Sequence, residues 1–381
     1  MEDIDLKRLF KNMTAIQLSL YAALLLSFIG SIFFINNNYG FYDQPIVKIT
    51  EAEITETQEL TDMYGNEDAL YTQQLEGEIR NGKHKGEGIM LENEYSLSGA
   101  NDHEFRAGQD LFIFIDEAAG DSTALSGTID NVKRDKYILA MTWIFIFVLL
   151  IIGRKQGFYS IVSLALNAVI LSYALDVYVR TENASLLMIA GVSVLLFTIT
   201  SLLLVNGFNE KTYAAIVSTV LGVFVALLLA SFAIWTSGGN GLNYEEMQFL
   251  TRPYEVVFMA GLFIGSLGAV MDVGITMSAS IFALYEKNPN ISIQAMKKSG
   301  IDIGKDIMGT MANILFFVYI SGSIPMLLLY LSNGAGWPFT FSINLSLEIA
   351  RALAGGLGIV LTIPIGIYTS IFFIKRKKAA Q

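Results

Sequence analysis

The sequence predicts an α-helical polytopic membrane protein of about eight transmembrane helices, with one small extracellular β-rich domain inserted after the first helix. Three observations predict it. Uncharged apolar windows long enough to cross a bilayer recur along the chain, and 53% of its 381 residues are hydrophobic. One polar, glycine-punctuated segment, residues 36–136, breaks that pattern and holds most of the acidic excess behind the net charge of −10. Most of the basic residues between the apolar windows fall on one side of the bilayer when the spans are counted, the short opposite loops carrying only Arg180 and Arg252, with Arg351 at a helix start.

Taken in order, the first element is a short polar start with Lys7, Arg8 and Lys11, followed by an apolar run from Thr14 to Ile35. That run is longer than a signal-peptide core and no small-x-small cleavage site follows it, so residues 1–36 are expected to be a cytoplasmic start and an uncleaved anchor helix. Residues 37–135 are the expected β-rich domain. IVKIT, GEIRNGKHKGEGIML, DLFIFID and SGTIDNV read as short strands, about five in all, enough for a small barrel or sandwich. Asn81-Gly82 is a two-residue hairpin signal, and Arg106–Gln109 is a second turn. His84 and His103 are the only histidines, and their spacing suits loop positions better than a metal site.

Residues 136–381 form the expected seven-helix membrane domain. The spans are placed near 137–153, 158–178, 184–206, 213–236, 254–284, 307–332 and 350–374. Arg154, Lys155, Lys211, the lysines between 286 and 306, and Lys375–Lys378 then share a side with Lys7, Arg8 and Lys11. Under the positive-inside rule both termini are cytoplasmic and residues 37–135 lie outside the cell membrane. Pro325 and Pro364 fall inside spans, where a missing backbone donor bends or breaks a helix. Asp176 with Arg180, and Glu348 with Arg351, are expected to be surface ion pairs of little energetic weight.

The chemistry-bearing stretch is Arg252–Tyr330. Asp272 is an acid inside a membrane-length apolar run, which costs a few kcal/mol or more and directs the group toward protein or water. Gly261, Gly265, Gly268, Asp272, Thr276 and Ser280 recur at steps of three or four, on one helix face. The three glycines are expected to pack against another helix, with Asp272 in that seam. Asp306, Thr310 and Asn313 share a face at the start of the next span. Together with Asp272, the leading candidate for binding or relaying a cation, with Thr276, and with Asn167 near the middle of the third span, they are candidates for lining a substrate or ion path. Hydrogen bonding between helices is the structural alternative for Asn167.

Other function classes are not signalled. Cysteine is absent, so there is no disulfide framework or thiolate chemistry. No phosphate-cradling loop, HExxH or nucleophile elbow occurs, and no basic stripe marks nucleic acid. No enzyme, cofactor or metal site is expected.

The stretches GSLGAVMDVGITMSASIFALYEKNP (Gly265–Pro289) and MKKSGIDIGKDIMGTMANILFFVYISGSIP (Met296–Pro325) resemble the signature of the YibE/YibF family of bacterial multi-span membrane proteins. The matching positions are Gly268, Ala269 and Asp272, then Thr276, then Gly304, Lys305 and Asp306, then Thr310 and Asn313. Gly153–Gly157, Gly207–Gly222 and Lys133–Tyr137 fit the same pattern, while Asp272-Val273 stands where some relatives carry two acids. An outer domain after an anchor is similar to the YibE-type member, and the resemblance implies a shorter YibF-type membrane partner. A homo-oligomer is the alternative. The expected activity is that of a transporter or permease component for a small solute or ion. A non-transporting scaffold or envelope-assembly factor, whose outer domain binds a protein or wall component, is the competing expectation. The basic 286–306 connector could dock a cytoplasmic partner or anionic lipid.

Overall fold

A computed structural model describes residues 15–99, 102–116, 125–181, 184–247 and 253–380, in two compact units that divide between Val148 and Leu149. In the first unit, helix α1 (Ala15–Asn36) is predominantly apolar and carries no charged residue. Its Phe28 packs edge-on against Trp143 and Phe147, with ring centroids 5.2 and 5.4 Å away. The Trp143 Nε1–H donates to Ser31 Oγ at 2.9 Å.

A 3-10 turn, Asn38–Phe41, leads into a closed barrel of β1 (Ile46–Thr61), β2 (Glu67–Ile79), β3 (Gly88–Ser96), β4 (Asp110–Asp116) and β5 (Leu125–Val132). The strand order is β1-β2-β3-β5-β4, with β4 returning to β1. Only the β3–β5 pair is parallel. This is a five-stranded barrel of the kind found in OB-folds. Its first strands are long, not short: β1 has 16 residues, and register shifts at Ile49/Glu51 and Ile54/Glu56 coil it around the barrel. Alternate residues point inward, so Val47, Ile49, Leu75, Ile79, Leu111 and Ile113 make the core.

The β2–β3 hairpin exists, but its turn is not the two-residue Asn81-Gly82 type. The loop spans 80–87, because the Asn81 side chain is used elsewhere. Asn81 Oδ1 accepts from the Ile46 N–H at 2.6 Å, and Nδ2 donates to the Tyr42 and Gln44 carbonyls at 2.9 Å. Asn81 thus satisfies the backbone that enters β1, and Gly82 (φ 77°) and Gly86 (φ 90°) complete the longer turn.

Where the barrel ends, charged groups are knotted together. Lys133, its side chain 1% exposed, lies 2.5 Å from Asp135 and beside the rings of Tyr39 and Tyr42. Asp135 also accepts from Asn38 and Tyr42. Asp110, equally buried, pairs with Lys136 and accepts from the Tyr39 hydroxyl. Burial first, and then the Asp110 carboxylate, push the Tyr39 hydroxyl up, which keeps it a donor.

Helix α2 (Asp135–Arg180) runs across the division between the units, and its backbone leaves helical geometry at Arg154 (φ 47°, ψ −121°). A Cβ on Gly157 would strike the Leu149 carbonyl oxygen. Eight residues of straight helix span about 12 Å, so the chain turns back sharply at Arg154.

The second unit continues through α3 (Leu186–Asn206), α4 (Glu210–Ser237), α5 (Tyr254–Lys287), α6 (Ile293–Ser332) and α7 (Trp337–Ala380). Among the described residues, six helices of the chain, α2 to α7, are long and apolar enough to cross a membrane. Val194, Val223, Phe263 and Val270 join α3, α4 and α5. Val273, Met277, Ile281, Ile359, Ile363 and Ile367 join α5 to α7, with Met296 and Leu315 of α6 packed on them.

The expected polar connector at 286–306 is mostly helix. Ser292 caps α6 by accepting from the Ala295 N–H at 3.2 Å, and Met296, Gly300 and Gly304 are buried. Gly300 and Gly304 meet Ile367 and Ile363. The four-residue spacing of these small or apolar residues leaves Lys298 and Lys305 on the exposed side, while the Lys297 ammonium lies 4.3 Å from the Tyr368 ring centre of α7.

Candidate functional site

Asp272 lies near the middle of the 34-residue α5, and its side chain is exposed. Helical periodicity explains its direction. Ser266, Val270, Val273, Gly274, Met277, Ser278 and Ile281 form the buried face of α5, and Asp272 falls on the other side. Its hydrogen bond with Thr276 uses the backbone alone: Thr276 Oγ1 donates to the Asp272 carbonyl at 2.7 Å. Among the described residues no basic side chain pairs with the carboxylate.

The expected glycine seam is therefore displaced. Gly261 and Gly268 face open space, and only Gly265 of that set is approached, by the Tyr319 hydroxyl of α6. The close helix contacts use other glycines. A Cβ on Gly274 would stand 2.6 Å from Thr219 Oγ1 and 3.1 Å from Ser218 Oγ. Gly222 abuts Thr362, and Gly358 abuts Val270. This α4–α5–α7 seam also holds three fully buried hydroxyls, of Thr219, Ser278 and Ser370, without a hydrogen-bond partner among the described residues.

Near Gly265 a second polar group assembles, which sequence spacing alone had placed at the surface. Arg351 and Glu348 of α7 form an ion pair with side chains only 22% and 18% exposed. The Arg351 guanidinium lies 5.2 Å from the Phe258 ring centre on α5, and both charges are within electrostatic reach of Tyr319. Gly265 and Asp272, seven residues apart, are about 10 Å apart along one strip of α5. The strip thus carries a free carboxylate at one level and a compensated Tyr–Arg–Glu group two turns away. The signal available in the sequence was the three-residue Glu348–Arg351 spacing, and burial of that pair depends on α5 and α6.

The remaining expected site residues are not gathered at Asp272. Gly358 on Val270 and Gly366 on Met277 fix the register of α7 with α5, and Gly304 on Ile363 and Gly355 on Leu315 fix that of α6 with α7. By these registers Asp306 and Thr310 stand at the depth of Asp272. They are exposed, however, together with Asn313. Asp306 is roughly 200° round α6 from Gly304, away from the packed face. Asn167 belongs to a separate network that ties α2 to α3. Its Nδ2 donates to Ser201 Oγ at 2.8 Å, and Thr200 Oγ1 donates to its Oδ1 at 2.9 Å. Among the described residues no cluster of three or more His, Asp or Glu side chains could hold a metal.

The class defined by these features is a helical membrane protein with a small β-barrel near its amino terminus. The family model described as YibE/F-like protein matches residues 141–376, and that of the YibE/F family N-terminal domain matches residues 40–132. The chain belongs to the YibE/F family. No curated protein and no solved structure matches it.

Proposed function

We propose that this YibE/F protein is a transport component of the cell membrane, moving a small cation or proton-coupled solute along the α5 strip that bears Asp272. The observation that carries this reading is the Asp272 carboxylate, exposed and without a basic partner among the described residues, near the middle of an apolar helix. Such a group is expensive in hydrocarbon, and its retention is accounted for by a cation, a proton or water that it binds in passing. Gly261 and Gly268 leave open space along the strip, Gly265 is occupied by the Tyr319 hydroxyl, and the Tyr319, Glu348 and Arg351 group supplies further polar contacts there.

In this reading the chain crosses the membrane eight times. α1 crosses once, α2 twice on either side of the turn at Arg154, and α3 to α7 once each, leaving both termini in the cytoplasm and the barrel outside. A second membrane chain, a YibF-type partner or another copy, shields the Asp272 strip from lipid, and the exposed faces of α5 and α6 suit that contact. The exposed Lys298, Asp302 and Lys305 edge of α6 is the place for a cytoplasmic partner.

The test is ion flux into liposomes reconstituted with the whole chain, alone and with its membrane partner, against protein-free liposomes. Flux of protons or a monovalent cation above the protein-free level, retained when residues 40–132 are deleted, is the expected result. Equal flux with and without protein contradicts the proposal.

A further inference from the structure

Beside the barrel, a cleft of about 910 Å³ opens between the end of β3, the segment that follows it, and the first turns of α2. Its volume is in the range of small-molecule sites. One wall is apolar and belongs to a helix entering the membrane: Ile138 is 65% exposed and Met141 70% exposed, and both line the cleft. These residues do not face α1, which is held by Trp143 and Phe147 on another side of α2. Leu97 and Phe105 of the barrel complete the apolar lining.

The polar end of the cleft is built around Arg134 and His103. The Arg134 guanidinium donates to His103 Nε2 at 3.1 Å. Its neighbours in sequence are compensated, Lys133 by Asp135 and Lys136 by Asp110, and of the carboxylates lining the cleft Glu104 is paired with Arg106 while Asp102 accepts from the Ser96 hydroxyl. Arg134 has no carboxylate partner among the described residues. A planar guanidinium beside an imidazole is suited to the oxygens of a phosphate, which it meets with two parallel N–H donors. Arg134 precedes the apolar run of α2 by about one turn, and Tyr137 stands between them, a position typical of the head-group layer.

We propose that this cleft holds one glycerophospholipid from the leaflet on the barrel's side. Its phosphate is bound by Arg134 and His103, and an acyl chain lies along Ile138 and Met141. The site couples the barrel to the surrounding lipid and does not depend on the transport reading, since it uses neither Asp272 nor the α5 strip.

The experiment is native mass spectrometry of the full chain in detergent, titrated separately with phosphatidylethanolamine, phosphatidylglycerol, diacylglycerol and inorganic phosphate. Retention of one phospholipid per chain, with diacylglycerol and phosphate retained about tenfold less, is expected, since each lacks one of the two contacts. The two phospholipids separate a zwitterionic from an anionic source, and retention of either one or both supports the site. Arg134→Gln, and independently the wall variant Met141→Asp, are expected to lower phospholipid retention by about tenfold without changing the melting temperature. Diacylglycerol retained as well as phospholipid, phosphate competing on equal terms, or retention unchanged in both variants would overturn the proposal. Should Arg134→Gln prove unstable, Met141→Asp and His103→Gln decide.

Discussion

Gly274 of α5 and Thr219 of α4 meet so closely that a Cβ on the glycine would stand 2.6 Å from the threonine hydroxyl oxygen. This contact, and not the Gly261–Gly265–Gly268 row, lies at the seam of the helical unit. Gly274→Leu must push two helices apart in a packed interior and should destabilise the protein by about 1–3 kcal/mol or more. Gly268 faces open space within the chain, so Gly268→Ala should leave the melting temperature in detergent unchanged. Thermal unfolding of the two variants side by side checks the assignment.

The Glu348–Arg351 pair is sheltered by Phe258 and Tyr319 rather than lying free at a helix end. Removing one partner leaves a half-buried charge uncompensated. Arg351→Met or Glu348→Gln alone should each cost about 1–3 kcal/mol, between the values for surface and buried pairs. The double variant should cost less than the sum of the two. A double-mutant cycle by thermal unfolding measures this coupling, and additive losses would mean that the pair contributes nothing.

Asn81 joins the β2–β3 loop to the chain entering β1 with three hydrogen bonds from a buried side chain. Asn81→Ala leaves the Ile46 N–H and two carbonyls unsatisfied, and about 1–3 kcal/mol of stability should be lost. Asn81→Asp should be intermediate, because the acceptor survives and the donor does not. Hydrogen exchange at the Ile46 amide reports the effect locally.

Asp68 gives the barrel an acid-sensitive corner. The Ser98 hydroxyl, and then the backbone N–H groups of Ala69 and Ser98, hold its carboxyl below the usual carboxylate range. A group whose pKa is lower folded than unfolded binds fewer protons in the folded state. Its stabilising contribution is present above the unfolded carboxylate pKa and disappears as pH falls through the folded value. Asp68→Asn should therefore melt below the wild type at pH 7, with the gap closing as the pH drops below the ordinary carboxylate range. A gap independent of pH would show that the Asp68 charge has no part in it.

Hydropathy was enough to show that long apolar helices recur, because crossing a bilayer imposes a run of apolar residues, but where eight spans were expected six such helices stand among the described residues. Alternation and turn residues likewise made the β-rich segment legible, although not the length of β1, which depends on bulges that no local pattern announces. The seam was harder for a specific reason. α5 carries two small-residue faces, one with Gly261, Gly265 and Gly268 and one with Ser266, Gly274 and Ser278, and both repeat at helical spacing. Which face packs is decided by Thr219 and Ser218 on α4 and Gly358 on α7, far away in sequence. The start of α6 was masked in the same way, since Lys297, Lys298 and Lys305 gave a polar impression to a helix whose other face holds Met296, Gly300 and Gly304. For Asp272, its place in an apolar helix was visible from the sequence, and its direction was not.

The most direct measurement is cation or proton flux through liposomes carrying the whole chain and its membrane partner, comparing wild type with Asp272→Asn and Asp272→Glu at equal protein content. Asparagine keeps the shape and removes the charge, so flux should fall by about tenfold or more, while glutamate restores part of it. Full flux in the Asp272→Asn protein would contradict the role given to this carboxylate.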